Sequence, residues 1–220
     1  MDANWFKLLG CWGISGNPPC AGEAIVSGSI HPHQFVKCYP MANRRPIQQA
    51  HERANVDQFL NWFNRAYRSN FRVISEPNPP EAVVRSSRTT RWVEVSTAFL
   101  SDAHAKDLYS YATPGEDHKP VGAGPFLGTD EEFAKSFVSV VKKKLEKKSY
   151  IPCRTEYGPG YLVIPIPNPF FNGQTVAAMK EAWKNCDIND LGCFRSIYIA
   201  FSSGNEIRFS RWPIKCKDRQ

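Results

Sequence analysis

The stretch from Glu76 to Phe99 constrains this chain more than any other. Two β-branched and aromatic runs, Ala82-Val83-Val84-Arg85 and Arg91-Trp92-Val93-Glu94-Val95-Ser96, are separated only by the polar link Ser86 to Thr90. A link of that length closes an antiparallel hairpin. The segment Pro77-Asn78-Pro79-Pro80 before it is a Pro-stiffened turn that delivers Glu81 to the start of the first strand. Glu94 falls at the centre of the second. Two carboxylates on neighbouring strands point to a metal site.

The flanking segments supply further charged groups with a readable direction. Pro46 to Arg68 has a helical pattern, with Pro46 suited to a first turn. Taking about 100° per residue from Val56, the apolar Phe59, Leu60, Phe63, Ala66 and Tyr67 span roughly 280° through 40°, and Glu52 falls at about 320°. Glu52 therefore points with the apolar face. It is either a helix-end residue that reaches water past the core or a functional group held toward the sheet. Phe71 to Ser75 forms a strand before the hairpin, completing a three-stranded meander.

Residues 101 to 129 are polar and turn-rich, which predicts a long connection, a flap or an ordered crossover. Thr129-Asp130-Glu131-Glu132 then has the capping-box pattern that opens a helix running to about Lys148. With Phe133 as zero, Phe137, Val140, Val141 and Leu145 lie at about 40°, 340°, 80° and 120°, and Lys144 at about 20°. Lys144 lies inside the apolar stripe, either snorkelling past the helix end or serving the site. The other lysines form a solvated face or a phosphate-contacting stripe. Tyr161 to Ile166 reads as a buried strand in which Pro165 demands an edge or a bulge. A helix near Thr175 to Asn185 and strands at Ser196 to Phe201 and Glu206 to Phe209 follow. The order predicts an α/β or α+β mixed sheet with helices on its faces.

Composition limits the partners. The 28 Lys and Arg residues exceed the 21 Asp and Glu residues by 28 − 21 = 7, an excess that favours a polyanion such as DNA. A soluble basic protein with no nucleic-acid role has the same composition. No apolar run approaches the ~18 residues of a membrane span, and Met1-Asp2-Ala3-Asn4-Trp5 lacks the features of a signal peptide, so a cytoplasmic protein with no membrane partner is expected. The 7 cysteines are odd in number and irregularly spaced, which disfavours a disulfide framework. Cys11, Cys20, His31, His33 and Cys38 provide enough ligands for zinc without the close pairs typical of zinc sites, so free thiols are expected. Residues 1–45 read as an irregular N-terminal extension packed on a single domain spanning 46–220.

No G-x-S-x-G elbow, P-loop, strand-linked G-x-G-x-x-G or H-E-x-x-H occurs, so serine-hydrolase and nucleotide-cofactor chemistries have no local signature. Metal-assisted phosphodiester hydrolysis needs carboxylates from separate elements and commonly a nearby lysine. Glu52, Glu81, Glu94 and Lys144 answer that description. On these residues the chain resembles the PD-(D/E)XK, or restriction-endonuclease-like, nuclease superfamily, whose core is a helix, a three-stranded meander, a helix and a further strand. Pro79-Pro80-Glu81 stands in the position of the Pro-Asp motif, Glu94-Val95-Ser96 in that of (D/E)-x-K, and residues 46 to 170 carry the likeness. Glu81 replaces the usual Asp, and Ser96 stands where the motif lysine belongs.

The resemblance implies a Mg²⁺- or Mn²⁺-dependent endonuclease acting on DNA. Glu81 and Glu94 would be direct metal ligands, and Glu52 a ligand directly or through water. Ser96 would be a water-positioning group, and Lys144, with Lys148 at about 60° as second candidate, the replacement cation. Arg85, Arg88 and Arg91 are either phosphate-positioning groups or an ordinary basic hairpin. The rival expectation is a catalytically inactive DNA-binding or structural subunit on the same fold. The segment Arg208 to Lys217 either contacts a ligand or another subunit, in a homodimer or with a protein partner, or closes the core with Phe209 and Trp212.

Overall fold

The computed structural model describes residues 44–113, 116–121, 129–168, 170–188, 190–204 and 206–213. The expected N-terminal extension lies almost wholly outside the described residues, as do Cys11, Cys20, His31, His33 and Cys38. The elements are α1 (Arg44–Tyr67), β1 (Arg72–Ser75), β2 (Ala82–Arg85), β3 (Thr90–Val95), α2 (Asp102–Ala112), α3 (Thr129–Leu145), α4 (Ile151–Tyr157), β4 (Gly160–Ile166), α5 (Gly173–Lys184), β5 (Phe194–Ser203) and β6 (Glu206–Arg211). A 3₁₀ turn over Lys148–Tyr150 joins α3 to α4.

The six strands form one mixed sheet in chain order, β1-β2-β3-β4-β5-β6. β1, β2 and β3 are an antiparallel meander, β3, β4 and β5 are parallel, and β6 returns antiparallel to β5. Two parallel crossovers of one hand, moving the same way across a sheet, place their helices on the same face. Accordingly α3 and α5 pack together, and α1, which belongs to no crossover, covers the opposite face.

Alternation at period two sorts the strand residues between these layers. In β4, Tyr161 and Val163 face α1, whereas Leu162, Ile164 and Ile166 join Phe133, Phe137, Met179 and Trp183 on the other side. Fully burying a side chain such as Leu162 contributes about 1.5–3 kcal/mol. Gly160 lets β4 pass directly under Trp92, where a Cβ would come within 2.3 Å of the indole. Phe209 and Trp212 both close the core.

Three expectations need correction. The connection after residue 101 contains α2, which Ser101 caps by accepting a hydrogen bond from the His104 N–H. Its sequence mixes charged, small and aromatic residues and is flanked by turn-rich segments. Pro165 lies in an interior strand without a bulge at that position, paired with Ala200. Its missing N–H points to the β3 side, where β3 has already ended at Val95 and only the Ala98 N–H comes back to the Pro165 carbonyl at 3.0 Å. Finally, Ala66 and Tyr67 are exposed, so the buried stripe of α1 stops at Phe63.

Candidate functional site

Glu94 breaks the apolar alternation of β3. Trp92, on the same face, is a core residue of the α3 and α5 layer, and Glu94 is buried beside it with 1% of its surface exposed. Two donors meet one of its oxygens: Lys144 Nζ lies 2.6 Å and the Tyr150 hydroxyl 2.6 Å from Oε1. Oε2 has no hydrogen-bond partner. Lys144 comes from the last turn of α3, on the face its helical position predicts. Tyr150 comes from the 3₁₀ turn beyond it and is itself fully buried, stacked on Trp92 with ring centroids 5.4 Å apart.

The pair stands at the edge of a cavity of about 360 Å³ at the carboxyl end of β3. Glu52, Glu81, Glu94, Ser96, Lys144 and Lys147 line it. Glu52 reaches it from α1, where Gln48 Nε2 donates to its Oε1 at 2.8 Å. Glu81 enters from the turn before β2, in which the Asn78–Pro79 and Pro79–Pro80 peptide bonds are both cis. Ser96 is held at the mouth by its backbone N–H, which donates to the Val163 carbonyl at 3.0 Å. All five residues expected in the catalytic centre thus line one space.

Their charges act on one another. Burial, then the charges of Glu94 and Glu52, push the Glu81 carboxyl from the ordinary 4.5 up to about 8, against the opposing pull of Lys144 and Lys147. Burial likewise raises Glu52, an effect opposed by the Gln48 hydrogen bond and Lys144 and reinforced by Glu94. Burial and the neighbouring Glu94 carboxylate push the Tyr150 phenol up, so its hydroxyl stays a donor. Tyr109, carried to the cavity by α2, is also raised, by burial and by Glu52.

Among the described residues, no group of three or more His, Cys, Asp or Glu side chains is gathered as a metal-holding cluster. The three acids share the cavity without closing on one point, and the Lys144 ammonium rests on Glu94 instead. The donor set nevertheless suits a hard divalent cation: all three acids supply oxygen, one buried carboxylate oxygen is unpartnered, and burial together with the neighbouring Glu94 and Glu52 charges raises the Glu81 carboxyl to about 8.

The nucleic-acid residues expected from the sequence lie elsewhere. In the hairpin, Arg85 pairs with Thr90 while Ala82 pairs with Val93, so Arg85 and Arg88 sit at the end remote from Glu81 and Glu94. Four residues of strand separate Arg85 from Glu81 by about 13 Å. Arg91 is committed to structure: its Nη1 donates to the carbonyls of Thr90 at 2.8 Å and Tyr157 at 3.1 Å. Lys148 is exposed and does not line the cavity; Lys147 does. The 3₁₀ turn begins after Lys147 and breaks the helical phase on which Lys148 was placed. Lys147, Tyr150, Tyr109 and His51 were missed. Only Lys147 has a usable signal in the sequence, its place three residues beyond Lys144 in the same lysine-rich segment.

His51 lines the cavity too, and burial lowers its pKa, leaving the ring neutral at pH 7. Among the described residues Cys153, Cys186 and Cys193 are free thiols. No described helix is long and apolar enough to cross a membrane. Comparison of the chain with known protein families, curated proteins and solved structures finds no significant match.

Proposed function

We propose that this chain is a divalent-cation-dependent endonuclease of the restriction-endonuclease-like type that hydrolyses DNA phosphodiester bonds. The observation that carries the reading is the 2.6 Å contact between Lys144 and Glu94 in a cavity shared with Glu52, Glu81 and Ser96. A lysine from the following helix thereby reaches the carboxylate of the motif whose own lysine is replaced by Ser96. The order α1-β1-β2-β3, then α3 and β4, agrees with the core expected of that superfamily, with α2 and α4 as additions.

In this reading Glu81 and Glu94 would hold Mg²⁺ or Mn²⁺ directly, and Glu52 would do so directly or through water. The bound cation supplies Lewis-acid polarisation of the phosphodiester and an activated water. Ser96, which lines the cavity, would orient the attacking water through its hydroxyl. Lys144 offsets negative charge developing on the phosphoryl oxygens, and Lys147 draws the backbone into the cavity. The net charge of +7 favours a polyanion such as DNA.

The test is cleavage of supercoiled plasmid by the purified full chain with Mg²⁺ or Mn²⁺, with EDTA as control. Loss of cleavage in Glu94→Ala and Lys144→Ala is expected, and cleavage retained in Glu94→Ala overturns the assignment. A second reading, a silent relative that binds DNA or serves as a structural subunit, draws on one observation. Lys144 and Tyr150 already occupy Oε1 of Glu94, and Ser96 adds no charge. Salt-sensitive DNA binding without cleavage over a broad substrate panel selects it.

A further inference from the structure

Glu94 is held in an asymmetric way. Both of its protein donors converge on Oε1, one charged and one neutral, and Oε2 is left bare in a buried setting. The two donors differ in how firmly they are placed. Lys144 is a flexible side chain with 23% exposure, whereas the Tyr150 ring is fully buried between Trp92 at 5.4 Å and Phe194 at 5.3 Å. Trp92 is in turn pinned by its indole N–H, which donates to the Gly158 carbonyl at 2.8 Å. The phenol is therefore a rigid post and the ammonium a movable one.

We propose that Tyr150 is the positioning residue of the cation site: its hydroxyl fixes Glu94 by Oε1, which leaves Oε2 to take a divalent cation. This rests on the reading of the cavity as a cation site. A neutral donor orients a carboxylate without contributing a competing positive charge, whereas Lys144 both orients Glu94 and repels any cation placed beside it. The two donors therefore have opposite effects on cation affinity. Hydrogen-bonding partners behind a metal ligand are typically worth about 10–100-fold in affinity.

The experiment is titration of the full chain with Mn²⁺ alone, followed by electron paramagnetic resonance, with thermal unfolding of each variant as the fold control. Tyr150→Phe keeps the ring stack and removes only the hydroxyl; its Mn²⁺ affinity is expected to fall about 10-fold. Lys144→Met is expected to bind Mn²⁺ at least as tightly as wild type. Tyr150→His, which retains a ring N–H donor, is expected to bind better than Tyr150→Phe and serves if the latter does not fold. On a Glu94→Gln background, Tyr150→Phe is expected to add no further loss.

A fall of less than about 2-fold in folded Tyr150→Phe, or equal losses in the Phe and His variants, overturns the proposal. Absence of saturable Mn²⁺ binding in the wild type overturns both the proposal and the cation site beneath it. Mn²⁺ binding that depends on Tyr150, in a protein that cleaves no DNA, supports the positioning role and removes the nuclease reading alone.

Discussion

The two faces of the sheet are built to different rules. Against α1, Phe59 sits at the centre of a ring cluster with Trp62, Phe63, Tyr161, Tyr198 and Phe209, their centroids 5.1–6.1 Å from its own. Against α3 and α5 the layer is equally apolar, with Phe133, Phe137, Met179, Trp183 and Trp212, yet Glu94 is set into it. Burying an unpaired carboxylate costs several kcal/mol, and Lys144 and Tyr150 offset that cost only on one oxygen. Packing accounts for the first face, whose buried polar groups Asn55 and Ser196 are neutral and hydrogen-bonded. It does not account for Glu94, and a charge retained inside an otherwise closed apolar layer is where chemistry is to be sought.

The contrast between the faces is tested most severely at Phe59. Phe59→Ala should cost about 3–5 kcal/mol in urea unfolding and leave Mn²⁺ binding unchanged in the folded fraction. An altered affinity would mean that the aromatic face is not independent of the site. Lys144→Met should cost about 3 kcal/mol, because Glu94 stays buried without its cation. Adding Glu94→Gln should return part of that loss, and a double-mutant cycle with no coupling would show that the 2.6 Å contact contributes nothing.

A smaller effect sharpens the electrostatic side of the contrast. Because the fold raises the Glu81 carboxyl to about 8, the protonated form is the one that the fold favours. Its stabilising contribution is fully present below the unfolded value of about 4.5 and is lost as pH rises from there through about 8. Glu81→Gln, uncharged at every pH, should therefore unfold at a higher temperature than wild type at about pH 8.5 and at a similar temperature at about pH 4.5. Thermal scans at the two values check this. Equal midpoints on the alkaline side would show that neither burial nor the neighbouring acids raise the Glu81 carboxyl.

The smallest effect concerns the remote hairpin end. Arg85→Ala should shift stability by no more than about 0.5 kcal/mol, since it is an exposed residue that among the described residues donates a hydrogen bond to Thr90. Plasmid cleavage should stay within about 2-fold of wild type, whereas a salt slope of DNA binding reduced by about 1 would place a phosphate at this end. An unchanged slope would confine DNA contact to the cavity side.

Much of this architecture was legible in the chain because its cues are local. The link Ser86 to Thr90 closed the hairpin, with the Ser86 N–H donating to the Thr89 carbonyl at 2.9 Å. The faces of Glu52 and Lys144 followed from helical periodicity within single elements. The α2 helix escaped because it is short, only 11 residues, and lies between turn-rich segments whose polar composition resembles a loop. Pro165 was misplaced because a ladder position is lost or tolerated according to what the neighbouring strand does there, and β3 ends at Val95.

Periodicity assigns a direction to each side chain within its own helix, and so the sequence by itself determined that Glu52 and Lys144 lie with the apolar faces of their helices, that Glu94 is at the centre of a strand and that Glu81 heads one. It carries no distance between elements. Only the tertiary structure decided that Lys144 closes to 2.6 Å on Glu94, that Lys147 rather than Lys148 reaches the cavity, and that Tyr150 stands behind the carboxylate. The physical reason lies in the 3₁₀ turn at Lys148–Tyr150, which ends the regular phase of α3 and swings the next residues back toward β3.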